Sequence, residues 1–272
     1  MTEQLIGKFG EGKRVAVLAI CSLSTVNNKV YATHMQFAYK LAKDNPDFQF
    51  ILFTPYRMTI ANFRNMAARA ALESEAEYLM FIDDDAVLVN CPSLFKSLLE
   101  KIDKDENKHI VMPVVYVRGY PFNPMFFNWV DDKDLVENAR GLDFYVDWKE
   151  QPVDENKMLR VGAIGCHTCL IKTEVFKVIE EPFFLTGMYN TEDVYFCMKC
   201  HDYIENIGIF VATDITVAHL LDPLYVDNTN VEILKEMYEK LDMTANLHIA
   251  EFLNQQGSIK SEIEEMGEEF EK

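Results

Sequence analysis

Apolar residues fall into short runs separated by stretches of helical spacing. RVAVLAI at 14–20 is a valine- and isoleucine-rich run of strand character. Polar CSLSTVNNK follows, and YATHMQFAYKLAK then spaces its apolar residues as an amphipathic helix does. FQFILF at 48–53 predicts a second strand, alanine-rich ANFRNMAARAALESE at 61–75 a second helix, and EYLMFID a third strand. The order βαβαβ predicts an α/β fold: a parallel sheet covered by helices on both faces, with ligands beyond the carboxyl ends of the strands. Next, PSLFKSLLEKI predicts a helix with Pro92 near its start, and HIVMPVVYV another strand. Strands are also predicted at CLIK (169–172), IGIFVAT and ITVAHL. Helices are predicted at TEVFKVIEE, with Thr173 as N-cap, and at TEDVYFCMKCHDYIE (191–205). Between 118 and 157 the periodicity fades into an aromatic, proline-bearing stretch that includes RGYPFNPMFFNWV. It predicts a long loop or small irregular subdomain, a kind of segment that often carries function. Residues 230–255 are amphipathic and helical. The expected division is a catalytic domain over 1–226 and a C-terminal helical extension with an acidic tail over 227–272.

Composition narrows the class. The 272 residues are 49% hydrophobic and 26% charged, which suits a globular domain with a substantial core. Lys plus Arg number 26 against 44 Asp plus Glu, a formal net charge of −18, so the surface should repel polyanions and nonspecific nucleic-acid binding is not expected. MTEQLIGKFGEGKR lacks the apolar centre of a signal peptide, and no apolar run reaches the roughly 18 residues of a membrane span, so the expected location is cytoplasmic. Six cysteines in such a chain point to reduced thiols rather than a disulfide framework.

The candidate chemistry starts at LMFIDDDAV, residues 79–87, where three aspartates follow an apolar strand without a turn residue. Alternation along an extended segment puts Asp83 and Asp85 on one face and Asp84 on the other. Two carboxylates held together at a partly buried strand end repel unless a cation compensates them. Oxygen ligands suit Mg2+ or Mn2+, which keep positions for substrate phosphates. The plainer alternative is a solvated acidic turn.

Four stretches together resemble the nucleotide-sugar-dependent glycosyltransferases of the GT-A fold, in their family-2-like branch. They are FRN at 63–65; FIDDDA, similar to the DxD motif; GAIGCHTCLIKTEVF at 162–176, similar to the strand and helix that face the acceptor; and FFLTGMYNTEDVYFC with VAHLLDP. The resemblance covers most of 14–223. It implies a Rossmann-like, mostly parallel central sheet and transfer of a sugar from a nucleoside diphosphate, UDP by default, to a hydroxyl acceptor. It further implies Asp83 near the ribose or metal, Asp85 and His219 as metal ligands, and Asp193 as the base that takes the acceptor proton, with Glu192 in reserve. Arg64 would meet phosphate or pair with an acid, and Ser22 lies in the loop that would hold the base. Arg118, Tyr120, Trp129 and His167 are the acceptor-binding candidates, against the alternative that clustered aromatics are core. Saccharides, proteins, lipids and a hydroxymethylated base in viral DNA all remain open as acceptors.

A rival constellation is Cys166 and Cys169 with Cys197 and Cys200, two CxxC pairs beside His167 and His201, which by spacing suggest a noncatalytic, zinc-stapled interaction protein. Strand character in CHTCLIK and helical character in CMKCHD favour buried thiols instead. A nucleotidyltransferase is the third reading, but it should carry a glycine-rich phosphate loop near the first strand, and CSLSTVNNK has no glycine.

Overall fold

The computed structural model describes residues 12–22, 26–55, 58–89, 91–103, 105–130, 141–187, 191–221 and 224–240. The chain divides into two compact units, 1–228 and 229–272.

In the first unit the predicted βαβαβ order is realised as β1 (Arg14–Cys21), α1 (Asn28–Asp44), β2 (Phe48–Phe53), α2 (Ile60–Glu73) and β3 (Tyr78–Asp83). The chain turns at Asp84 and Asp85 into β4 (Ala86–Val87), then continues through α3 (Leu94–Ile102) and β5 (Ile110–Val114). Next come β6 (Phe126–Val130), β7 (Gly141–Phe144), β8 (Met158–Arg160), β9 (Ala163–Ile164) and β10 (Thr168–Lys172). After the short α4 (Val175–Val178) and α5 (Glu192–Tyr203), β11 (Ile209–Thr216), β12 (Ala218–Leu221) and β13 (Leu224–Val226) complete the unit.

Seven strands form the central sheet in the order β2-β1-β3-β10-β5-β11-β8. β1, β2, β3, β5 and β11 run one way, while β10 and β8 run against them, so the sheet is mixed and mostly parallel. Two three-stranded sheets, β13-β12-β4 and β7-β6-β9, stand beside it.

Phenylalanine positions on β2 show how the layers form. Phe48 and Phe50, two apart and therefore on one face, meet Phe95 of α3 edge-on at 5.2 and 5.0 Å. Phe53 points to the other face and meets Phe63 of α2 at 5.9 Å. Helices thus cover both faces of the sheet. Phe63 continues to Phe81 on β3, and Phe81 to Phe184. Full burial, as at Phe63, Phe81, Phe95 and Phe184, contributes about 1.5–3 kcal/mol per side chain.

The stretch 118–157, expected to be irregular, supplies β6 and β7, and residues 131–140 lie outside the described ones. The helix expected at 173–181 is confined to the four residues of α4. In the second unit residues 231–240 are helical, and the remainder of the predicted 230–255 helix and the acidic tail lie outside the described residues.

Candidate active site

Strand register gathers three side chains at the carboxyl end of β3. β4 pairs antiparallel with β12, setting His219 opposite Ala86, and the Leu220 amide donates to the Asp85 carbonyl at 2.9 Å. Because β10 runs against β3, its beginning lies at the carboxyl end of β3, where the Asp83 amide donates to the His167 carbonyl at 2.8 Å. His219 Nε2 stands 3.1 Å from Asp85 Oδ2 and His167 Nε2 3.4 Å from Asp85 Oδ1. The imidazole centroids are 4.4 Å apart, and one ligand atom from each of Asp85, His167 and His219 lies within 4.8 Å of the others.

The hydrogen bonds around this cluster suit a cation. His219 Nδ1 is 2.8 Å from the Tyr116 carbonyl, which can only accept, so Nδ1 carries the proton. In the neutral ring Nε2 then turns a lone pair toward Asp85 Oδ2, and two acceptors face each other unless a cation or proton joins them. His167 Nε2 is buried without a hydrogen-bond partner. Burial is the main cause that pushes the His167 imidazole down to about 4, with Asp85 opposing, so the ring is neutral and available as a ligand. Burial alone would raise the Asp85 carboxyl, yet its contacts with His167 and His219 hold it well below the usual carboxylate range. One carboxylate and two imidazole nitrogens form a donor set that fits a divalent first-row metal such as Mn2+.

Of the expected ligands Asp83, Asp85 and His219, the structure brings the last two together and adds His167. Asp83 is near but not a member of this group; the chain turns at Asp84, where the assumed alternation stops. Its carboxylate lies 3.5 Å from Arg64 Nη2, and burial above all, with Asp85 adding, pushes it up to about 7 against the pull of Arg64.

Arg64, on α2, is spent within the protein. Its side chain is 3% exposed; Nε meets Glu192 Oε1 at 3.1 Å and Nη1 donates to the Cys166 carbonyl at 2.8 Å. The guanidinium also lies over the Phe81 ring. Burial works against its charge, and Asp83 and Glu192 outweigh that. Of the two fates expected for Arg64, pairing with an acid is the one observed, and Glu192, the reserve base, is its buried partner.

Asp193, beside it in the first turn of α5, is only half-buried. Its Oδ2 accepts the Cys166 amide at 3.2 Å; its Oδ1 accepts the Val194 amide at 2.8 Å and the Thr191 hydroxyl. Cys166 precedes His167, which places Asp193 next to the cluster. A Cβ on Gly165 would come within 2.9 Å of Met125 Cε, 3.3 Å of the Met125 carbonyl and 3.4 Å of Asp193 Oδ2, so a larger residue here would press on the Met125 side chain and crowd Asp193. Ser22 follows Cys21, the partner of Asp83 in the β1–β3 register, and so sits at the same sheet edge.

The acceptor candidates separate. Arg118 reaches Asp85 Oδ2 at 3.0 Å, and Tyr120, 49% exposed, shares its turn. Trp129 packs edge-on against His201 at 5.1 Å, eight residues and about 12 Å along α5 from Asp193. Cys166, Cys169, Cys197 and Cys200 are all buried; Cys197 Sγ faces the Ile164 carbonyl at 3.9 Å. Among the described residues no cysteine joins a three-ligand group, so the zinc arrangement does not assemble.

No family model matches the chain, and no curated protein matches it by sequence. Among solved structures it is similar to A197 from STIV, at 17% identity and a TM-score of 0.47, over 78% of this chain and 93% of that one. It is also similar to glucosyl-3-phosphoglycerate synthase from Mycobacterium tuberculosis, solved with Mn2+, uridine-diphosphate-glucose and phosphoglyceric acid. That match has 11% identity and a TM-score of 0.45 over 77% and 72% of the two chains. A third, 4-diphosphocytidyl-2C-methyl-D-erythritol synthase from Anaerococcus prevotii, has 11% identity and a TM-score of 0.41 over 84% and 97%. None of the three supplies a function for this chain.

Sequence reasoning placed His167 among the acceptor candidates, not in the group with Asp85 and His219, and did not find the Tyr116 carbonyl beside His219. His167 carried a signal, an imidazole one residue before a strand, but the flanking cysteines of CHTC drew the metal reading to sulfur. A backbone carbonyl leaves no trace in sequence.

Proposed function

We propose that the chain is a divalent-metal-dependent glycosyltransferase of the GT-A type, moving a sugar from a nucleoside-diphosphate donor, UDP by default, to a hydroxyl acceptor. The observation that carries this reading is the Asp85, His167 and His219 cluster at the carboxyl end of β3, with His219 Nε2 3.1 Å from one Asp85 oxygen and His167 Nε2 3.4 Å from the other. Those three residues would hold Mn2+ or Mg2+, and a bound ion would neutralise charge on a diphosphate leaving group.

Every other part is protein. Asp193 takes the proton from the acceptor hydroxyl as its oxygen attacks the anomeric carbon. Its orientation comes from the Cys166 and Val194 amides and the Thr191 hydroxyl, and the start of α5 favours its negative charge. Arg64 and Glu192 position it by tying α2, the approach to β10 and the start of α5 together. Ser22 lies where the nucleotide passes the sheet edge.

The test is donor hydrolysis. UDP-sugars with Mn2+ should release UDP slowly in the wild type and not detectably in Asp85→Ala. Equal release from both proteins removes the reading. Pyrophosphate release from a nucleoside triphosphate and a sugar phosphate would replace it with nucleotidyl transfer.

A further inference from the structure

Asp85 Oδ2 is shared by two groups of unlike character. His219 is 9% exposed and its ring is fixed by the Tyr116 carbonyl, whereas the Arg118 side chain, at 3.0 Å, is 64% exposed. Arg118 stands at the tip of a hairpin-like loop. Val117 and Met125 donate their amides to the Asn123 and Val115 carbonyls, and the Phe122 amide closes on Gly119. Tyr116 and Phe122 are buried and anchor the loop, while residues 118–121 between them are exposed, with Arg118 reaching Asp85 and the Tyr120 ring meeting Phe122 edge-on at 6.4 Å. Such an ion pair, half in water, exchanges easily.

A guanidinium and a divalent ion on the same carboxylate oxygen repel each other at close range, so each weakens the other's hold on Asp85. We propose that Arg118 is a displaceable counter-cation of Asp85. A divalent ion entering the cluster takes its place, and the released guanidinium turns to the diphosphate of the nucleotide. This rests on the metal-dependent reading above and adds an order to it. The planar fork of Arg118 matches phosphate oxygens, so the group that opposes the metal alone assists the metal with nucleotide. Metal and nucleotide then raise each other's affinity, since coupling between two ligands is reciprocal.

The full chain and its Arg118→Gln variant test this in two titrations: Mn2+ alone, followed by the paramagnetic resonance of the free ion, and UDP at saturating Mn2+, followed calorimetrically. Removing the competing cation should tighten Mn2+ binding about two- to fivefold. Removing the phosphate partner should weaken UDP binding about tenfold. The opposite signs are diagnostic, because a merely structural role for Arg118 would weaken both. Unchanged or weaker Mn2+ binding in Arg118→Gln, while Asp85→Ala abolishes it, overturns this inference and leaves the proposed function standing. Unchanged UDP binding overturns the second half. Mn2+ binding that is absent from the wild type, or indifferent to Asp85→Ala, removes both.

Discussion

The three aspartates of LMFIDDDAV have three different surroundings. Asp85 faces two imidazoles and Arg118, Asp83 faces Arg64, and Asp84, whose amide donates to the Cys21 carbonyl at 3.1 Å, lies in the turn between them. Asp84→Asn should therefore keep Mn2+ affinity and donor hydrolysis within about twofold, because the half-buried Asp84 side chain is not among the three that cluster and asparagine is nearly isosteric with it. Asp193→Asn is the informative opposite. Asparagine keeps an acceptor oxygen for the Cys166 and Val194 amides but cannot take a proton, so acceptor transfer should fall by about 10²–10⁴ while Mn2+ and UDP binding stay near wild type. Parallel losses in binding and transfer would make Asp193 a structural residue. The sequence pointed to Asp85 and His219, which the structure brings together, and to Asp193 nearby, but not to their geometry, because alternation was extended through Asp85 whereas the backbone turns one residue earlier.

Helices and strands near the site are joined by a buried charge. Arg64 connects α2 to Glu192 of α5 and to the backbone before β10, with almost no access to water. Arg64→Met leaves Glu192 buried without its partner, and loss of one member of such a pair costs about 3–5 kcal/mol. Arg64→Met with Glu192→Leu should recover much of that loss. Chemical denaturation of both variants decides the matter, and a single-variant cost under about 1 kcal/mol would show that water reaches Glu192. At this scale the sequence was most legible where periods were clean. FQFILF was bounded to the residue, and the βαβαβ order followed from alternating runs. FFNWV was not read as a strand, because aromatics on both faces of β6 erase the alternation on which strand prediction depends. The reversal of β10 was equally hidden, since a fully buried strand reads the same in either direction.

At the scale of the whole chain, a net charge of −18 works against compactness through self-repulsion. Raising NaCl from about 20 to 200 mM shortens the screening length and should raise the melting temperature. A flat or falling trend by calorimetry would mean that the acids are already compensated locally. The cluster adds a different large-scale consequence. Its ligands lie at positions 85, 167 and 219, carried by the ends of β3, β10 and β12, and no two are near one another along the chain. The unfolded polypeptide does not bring these three residues together, so an ion that prefers this donor set favours the finished arrangement by the difference between its affinity there and its affinity for local segments such as CHTC. An ion held there acts as an inspector of assembly: a chain with any one of the three strands misplaced forfeits it.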